Sequence, residues 1–308
     1  MPEHSLHSFF DVARTVGKSP AFVQGAGGNI SWKNGEKMYV KASGFFMRHL
    51  ERGRGYTCCA FHPLTNFLRR TRSQARYSQS AENGFNAFIE QHVVHKESFG
   101  VPSIETGMHA ALARAVIHTH NAYINVFGCM RGGGKLLAEI LGNGNVHCLP
   151  YRNPGLALAK EISLLAEKGA VPPVIVLMNH GLLTHAEDLD TALRLTLEAS
   201  DKIKRYLRKK KISPFRVVKT SANFSRHLFP DSVVYSHIDY AALPPEKKEV
   251  FWEISSMTNY ILAAIRKLGG KPVYLAAQDV RFIQNMGKEK HRIKMLTKNV
   301  QSTIVRRA

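Results

Sequence analysis

Residues 5–17 carry apolar side chains at helical spacing (Leu6, Phe9, Phe10, Val12, Ala13 and Val16), which predicts a short amphipathic helix. After a glycine-rich stretch at 25–28 the period changes to two. Ile30 and Trp32 precede Lys33-Asn34-Gly35, and Met38, Val40 and Ala42 alternate with polar residues beyond it. Asn-Gly between two alternating runs predicts a hairpin. Residues 45–80 show little periodicity and predict no definite element. They hold seven arginines (Arg48, Arg52, Arg54, Arg69, Arg70, Arg72 and Arg76) against one acid, Glu51.

Further on, residues 104–116 predict a helix, and 115–129 a strand running into another element. Residues 155–168 predict an amphipathic helix that ends before Gly169. The uninterrupted apolar run from Val174 to Met178 predicts a buried strand with a turn at Gly181. Asp188 is placed to cap a long helix that runs out in basic residues. Another long helix is expected over 246–267, with a shorter terminal one after it. Helix and strand patterns mix without strict βαβ alternation, which predicts an α/β sandwich with a largely antiparallel sheet. A boundary is expected near 210–225, separating residues 1–210 from a basic, mainly helical extension, 211–308.

Composition narrows the class. The 308 residues are 44% hydrophobic, a folding composition. No apolar run approaches the roughly 20 residues of a membrane span, so no membrane partner is expected. The first residues lack a basic start followed by an apolar stretch, and no secretory signal is read. Four cysteines without C-x-x-C spacing make no disulfide framework, and the expected location is the reduced cytoplasm. The formal charge is +20, and it is uneven. Residues 1–200 hold 20 basic and 15 acidic residues, whereas 201–308 hold 23 and 8. The plain reading is a solvated basic surface that attracts anionic substrates. No aromatic-basic interleaving accompanies the charge, which leaves nucleic acid as the weaker reading.

Three groups of residues carry candidate chemistry. His118 and His120 follow an apolar run, and on a strand residues i and i+2 share a face. His180 closes a second apolar strand. Three neutral imidazoles with an open fourth position suit a catalytic divalent metal. Glu105, thirteen residues before His118, is either a first-turn glutamate favoured by the helix dipole or an acid/base beside that metal. Gly25-Ala26-Gly27-Gly28-Asn29 and Lys41-Ala42-Ser43-Gly44 are either tight turns or backbone cradles for phosphate oxygens. A Rossmann reading is weak, because the third glycine is missing and a hairpin pattern follows.

Taken in order, GGNIS (27–31), KASG (41–44), PSIETGMHAAL (102–112), AVIHTH (115–120), YRNPG (151–155) and NHGLLTHAEDLDTAL (179–193) resemble the class II aldolase/adducin family. The resemblance implies a three-layer α/β/α sandwich with a central, mainly antiparallel sheet, to which the helical C-terminal extension is added. It implies one divalent ion per chain, most often Zn2+, on His118, His120 and His180, with Glu105 as acid/base. It implies a sugar phosphate held by Gly28, Asn29, Ser43, Gly44 and Ser103. It also implies a homo-oligomer, commonly a tetramer. The tyrosine that some aldolases contribute is Tyr123 or Tyr151. Arg114-Ala115 stands where a Pro-Asp turn usually intervenes, so the link from Glu105 to His118 must be tight.

The tail segments 228–235 and 285–292 look like those of rhamnulose-phosphate-aldolase-like members. Some of those are fused to a dehydrogenase, and none is read within residues 1–308. The expected reaction is therefore retro-aldol cleavage of a ketose 1-phosphate to dihydroxyacetone phosphate and an aldehyde, through a metal-stabilised enediolate. The alternatives within the family are a pentulose-phosphate 4-epimerase, a sugar-acid phosphate decarboxylase and a dehydratase. A catalytically silent, adducin-like binding domain is the alternative of another class.

Overall fold

Strand alternation decides the architecture. The computed structural model describes residues 3–71, 78–169, 171–220, 225–236 and 245–287, with positions 238, 240, 241, 243 and 290. Seven strands form one sheet: β1 (Asn29–Asn34), β2 (Lys37–Lys41), β3 (Tyr56–Ala60), β4 (Ala115–Thr119), β5 (Val146–Leu149), β6 (Val174–Leu177) and β7 (Gly181–Ala186). Their order is β3-β2-β1-β4-β7-β6-β5, and β5 with β6 is the one parallel pair among them.

The helices among the described residues are α1 (Glu3–Gly17), α2 (Phe61–Arg70), α3 (Gln79–Gln91), α4 (Thr106–Ala110), α5 (Ala122–Gly128) and α6 (Gly133–Leu141). They continue with α7 (Leu156–Glu167), α8 (Leu189–Lys209), α9 (Pro230–Ser236), α10 (Pro245–Lys267) and α11 (Ala277–Asn285). Met38, Val40, Val116, Ile175 and Leu177 face one layer with residues of α2, α3, α4 and α7. Their neighbours Tyr39, Ala115 and Ile117 face α1 and the start of α8. Val174 and Val176 face α5, α6 and α8. The result is the expected three-layer sandwich with a mainly antiparallel sheet and added C-terminal helices.

Local choices follow from single residues. The hairpin turn falls at Gly35-Glu36, one step beyond the expected position, with Gly35 at φ 58°. Asp188 Oδ1 accepts from Thr191 N at 2.7 Å and starts α8. Asn121 accepts from Tyr123 N and Ile124 N, which ends β4 and opens α5 directly after His120.

The expected helix over 104–116 is shorter than its pattern. Only Thr106–Ala110 is helical. The buried Lys33 Nζ donates to the carbonyls of Ala110 and Leu112, which helix continuation would otherwise have used. Arg114 stacks 4.2 Å over the Trp32 ring and donates from Nε to Lys33 O. These contacts make the tight link into β4.

Residues 45–80, for which the sequence predicts no definite element, include β3, α2 and a 3-10 turn at Met47–His49. Arg72 and Arg76 lie outside the described residues. The C-terminal helices do not stand apart: described residues of α9, α10 and α11 share one core with α5, α6 and the inner face of α8.

Candidate metal centre

β4 is the middle strand, and its end meets the starts of β1 and β7. The register pairs His118 with Asn29 on one side and with Leu183 on the other. Antiparallel pairing thus gathers three strand ends at one place. His118 and His120 leave β4 there, and His180 precedes β7 by one residue.

The three imidazoles form a triangle with ring centroids 4.7–5.2 Å apart. Glu105, placed by the backbone just before α4, completes it. Its Oε1 lies 3.3 Å from Nε2 of both His118 and His180. One potential ligand atom from each of the four residues lies within 4.8 Å of the other three, and all four residues are buried.

The hydrogen bonds behind this cluster fix which nitrogens face inward. His118 Nδ1 donates to Leu182 O at 3.1 Å. His120 Nδ1 donates to Asp231 Oδ2 at 2.8 Å. In the neutral form of both rings Nε2 is then the lone pair, buried and without a hydrogen-bond partner. For His118 that lone pair faces a carboxylate oxygen. Two acceptors at 3.3 Å repel unless a cation lies between them. Burial lowers the His180 pKa to about 4, so this ring is neutral near pH 7 and fit to be a ligand. For Glu105 burial pushes upward, and only a protonated His118 or His180 beside it would pull the carboxyl well below its ordinary range. Three imidazoles and one carboxylate, converging with orphaned donor atoms, suit a divalent ion of the zinc type.

The turns expected to hold phosphate gather around the cluster. A cavity of about 40 Å³ is lined by Gly28, Lys41, Ser43, Gly44, Ser103, Glu105, His120 and His180, with Pro154, Pro230 and Asp231 closing it. At this volume it holds about three waters. A sugar phosphate therefore needs its walls to part. A larger open groove, about 890 Å³, lies at Lys37, Arg52, Tyr56, Lys96 and Phe99. It contains none of these groups, so chemistry and not volume selects the site.

Asn29 does not line the cavity. Its Nδ2 donates to Ser103 Oγ at 2.7 Å, and Ser103 Oγ accepts from Glu105 N at 3.2 Å. Both residues thus hold Glu105 in place. Gly28 has φ +65°, and a Cβ there would come within 2.9 Å of His118 O. Tyr123 and Tyr151 are not on the cavity wall: Tyr123 packs on Tyr260, and the Tyr151 hydroxyl donates to Asn153.

Sequence reasoning missed four participants. Lys41 Nζ is buried on the cavity wall and donates to Ala26 O and Phe45 O at 3.0 and 2.9 Å. Asp231 supports His120. Glu253 in α10 accepts from Gly25 N at 2.6 Å and lies 3.7 Å from Arg48. Asn179, at φ 56°, donates to Leu228 O and Val273 O and turns the chain into His180. A lone acid inside the apolar run 228–235 was the one visible signal for Asp231.

A family model described as Class II Aldolase and Adducin N-terminal domain matches residues 8–207. Among curated proteins, the "Uncharacterized oxidoreductase YuxG" of Bacillus subtilis (strain 168) is 32% identical over 107 residues. That match takes in 34% of this chain, and the chain spans only 15% of that relative's length. Among solved structures, the N-terminal class II aldolase domain of a conserved protein from Thermoplasma acidophilum superposes with a TM-score of 0.55 at 25% identity. It covers 65% of this chain and 92% of that one. YgbL from Klebsiella pneumoniae, whose name leaves aldolase, epimerase and decarboxylase open, gives 0.50 at 16% identity over 70% and 94% of the two chains. At that identity the likeness speaks of fold.

Proposed function

Because the chain belongs to the class II aldolase and adducin N-terminal domain family, we propose that it is a metal-dependent lyase cleaving a ketose 1-phosphate into dihydroxyacetone phosphate and an aldehyde. The observation that carries this reading is the buried convergence of Glu105, His118, His120 and His180. The three histidines would hold the ion, most fittingly Zn2+. The ion, when bound, supplies Lewis-acid polarisation of a carbonyl oxygen.

The remaining work falls to the chain. Gly28, Ser43, Gly44 and Ser103 line the cavity with the buried ammonium of Lys41, which suits a phosphate group. Asn29 acts one step removed, through Ser103. Held at its phosphate, the substrate would have its reacting carbons fixed against the histidines. As a carboxylate, Glu105 can take up a proton at Oε1. As the carbon–carbon bond breaks, the hydroxyl oxygen gives up its proton to Glu105 and its carbon becomes the aldehyde. Glu105 returns a proton to the carbon that keeps the bonding pair. The buried surroundings keep bulk water from that carbon.

The test joins metal content to turnover. The purified protein should carry about one divalent ion per chain by plasma mass spectrometry and release dihydroxyacetone phosphate from at least one member of a ketose 1-phosphate panel. His118→Ala and His180→Ala should each abolish tight metal binding. Glu105→Gln should keep the metal and lose about 10²–10⁴-fold in turnover. An epimerised, decarboxylated or dehydrated product would assign the same centre to another reaction of the family. No metal after reconstitution, and no product, would leave a silent binding domain.

A further inference from the structure

Asp231 is a carboxylate buried to 1% exposure in α9, within the apolar run Leu228 to Tyr235. A buried charge of this kind costs several kcal/mol in desolvation unless a partner offsets it. Its partner is His120 Nδ1 at 2.8 Å. The glycine turn is shaped around this pair: a Cβ at Gly27 would lie 2.7 Å from Asp231 Oδ2 and 2.8 Å from His120 Nδ1. For His118 the matching support is a backbone carbonyl, that of Leu182, which any residue there would supply. For His120 the support is a side chain, and it comes from outside the stretch 8–207 that the family model matches.

A carboxylate on Nδ1 fixes the imidazole as the Nδ1–H tautomer. It also holds the ring plane and makes Nε2 more basic toward an ion. We propose that Asp231 is a positioning residue of the metal centre, holding His120 with Nε2 inward, so that the C-terminal segment completes the centre. The proposal rests on the metal-centre reading above.

The experiment measures zinc affinity of the full chain, stripped with a chelator and titrated against a competing chelator. The Co2+-loaded absorption spectrum serves as a second readout that packing alone would not move. Asp231→Asn, nearly isosteric, and Asp231→Ala should weaken Zn2+ by about 10–100-fold, Ala more than Asn, and should shift the cobalt bands. Ser232→Ala removes the neighbouring hydroxyl, which donates to Phe229 O at 2.6 Å. It should leave affinity and spectrum unchanged. The apo melting temperature of Asp231→Asn should not fall, since a buried charge is removed. Wild-type zinc affinity in both Asp231 variants would overturn the proposal while leaving the metal centre standing. So would a lowered apo melting temperature with unchanged affinity, which would make Asp231 a packing residue. A wild-type chain that binds no metal would remove the metal-centre reading and this proposal together.

Discussion

Residues 8–207 and the segment 225–286 contribute to the same site in opposite ways. The first, matched by the family model, carries all four convergent side chains: Glu105, His118, His120 and His180. Among the described residues the second adds no side chain to that cluster, yet it supports the cluster's surroundings. Asp231 holds His120, Glu253 holds the glycine turn at Gly25, and the carbonyls of Leu228 and Val273 accept from Asn179 beside His180. The difference separates two kinds of information. Chemistry is written in short local motifs. Its geometry is held by long-range contacts, and motifs do not record them.

The comparison breaks most visibly if the second region is removed. Ending the chain after residue 210 uncovers the face of α5 that α10 covers and opens the core these helices share with α8. Native near-ultraviolet circular dichroism and metal binding should both be lost. Were the truncated chain to keep both, the segment would be an accessory. A smaller blow at the same interface is Phe229→Ala. Phe229 is 1% exposed, and the cavity left should cost about 3–5 kcal/mol by urea unfolding.

The opposite layer supplies the contrast. Glu82 in α3 is buried against the start of α7, where Leu156 N donates to it at 2.8 Å. Burial raises its pKa from 4.5 to about 7, against the pull of that hydrogen bond and of Asn86. The folded state therefore binds this proton more tightly than the unfolded chain does. Its contribution is full below about pH 4.5 and is lost as pH rises through 7, by up to about 3 kcal/mol. Glu82→Gln should flatten that slope and stabilise the protein at pH 8, without changing metal affinity. The smallest effect is expected at Arg194, exposed and 3.0 Å from Glu198 on α8. Arg194→Ala should change stability by less than about 0.5 kcal/mol.

Much of the scaffold was legible because its periods are long and clean. Phe9, Phe10, Val12, Ala13 and Val16 mark α1, the Val174–Leu177 run marks β6, and Asp188 marks the start of α8. The hairpin was one residue out of place. β3 was not legible: Cys58 and Cys59 are both fully buried against opposite layers and Thr57 is buried too, so no solvent-facing polar position marks the alternation. The end of α4 was hidden because a distant ammonium, Lys33, takes its carbonyls. The histidines and Glu105 were legible as residue types at suggestive spacing. Asp231 was not, because its partner is 111 positions away.

That separation orders events during synthesis. The hydrogen bond between Gly25 and Glu253 spans 228 positions. At about 5–20 residues per second, the carboxylate leaves the ribosome roughly 11–46 s after the turn it will hold. For most of that interval the nascent chain already contains Glu105, His118 and, later, His180, while α10 does not yet exist. From the emergence of α5 until α10 follows, apolar surface on α5 stays uncovered, and the nascent chain is then most in need of a chaperone's shelter.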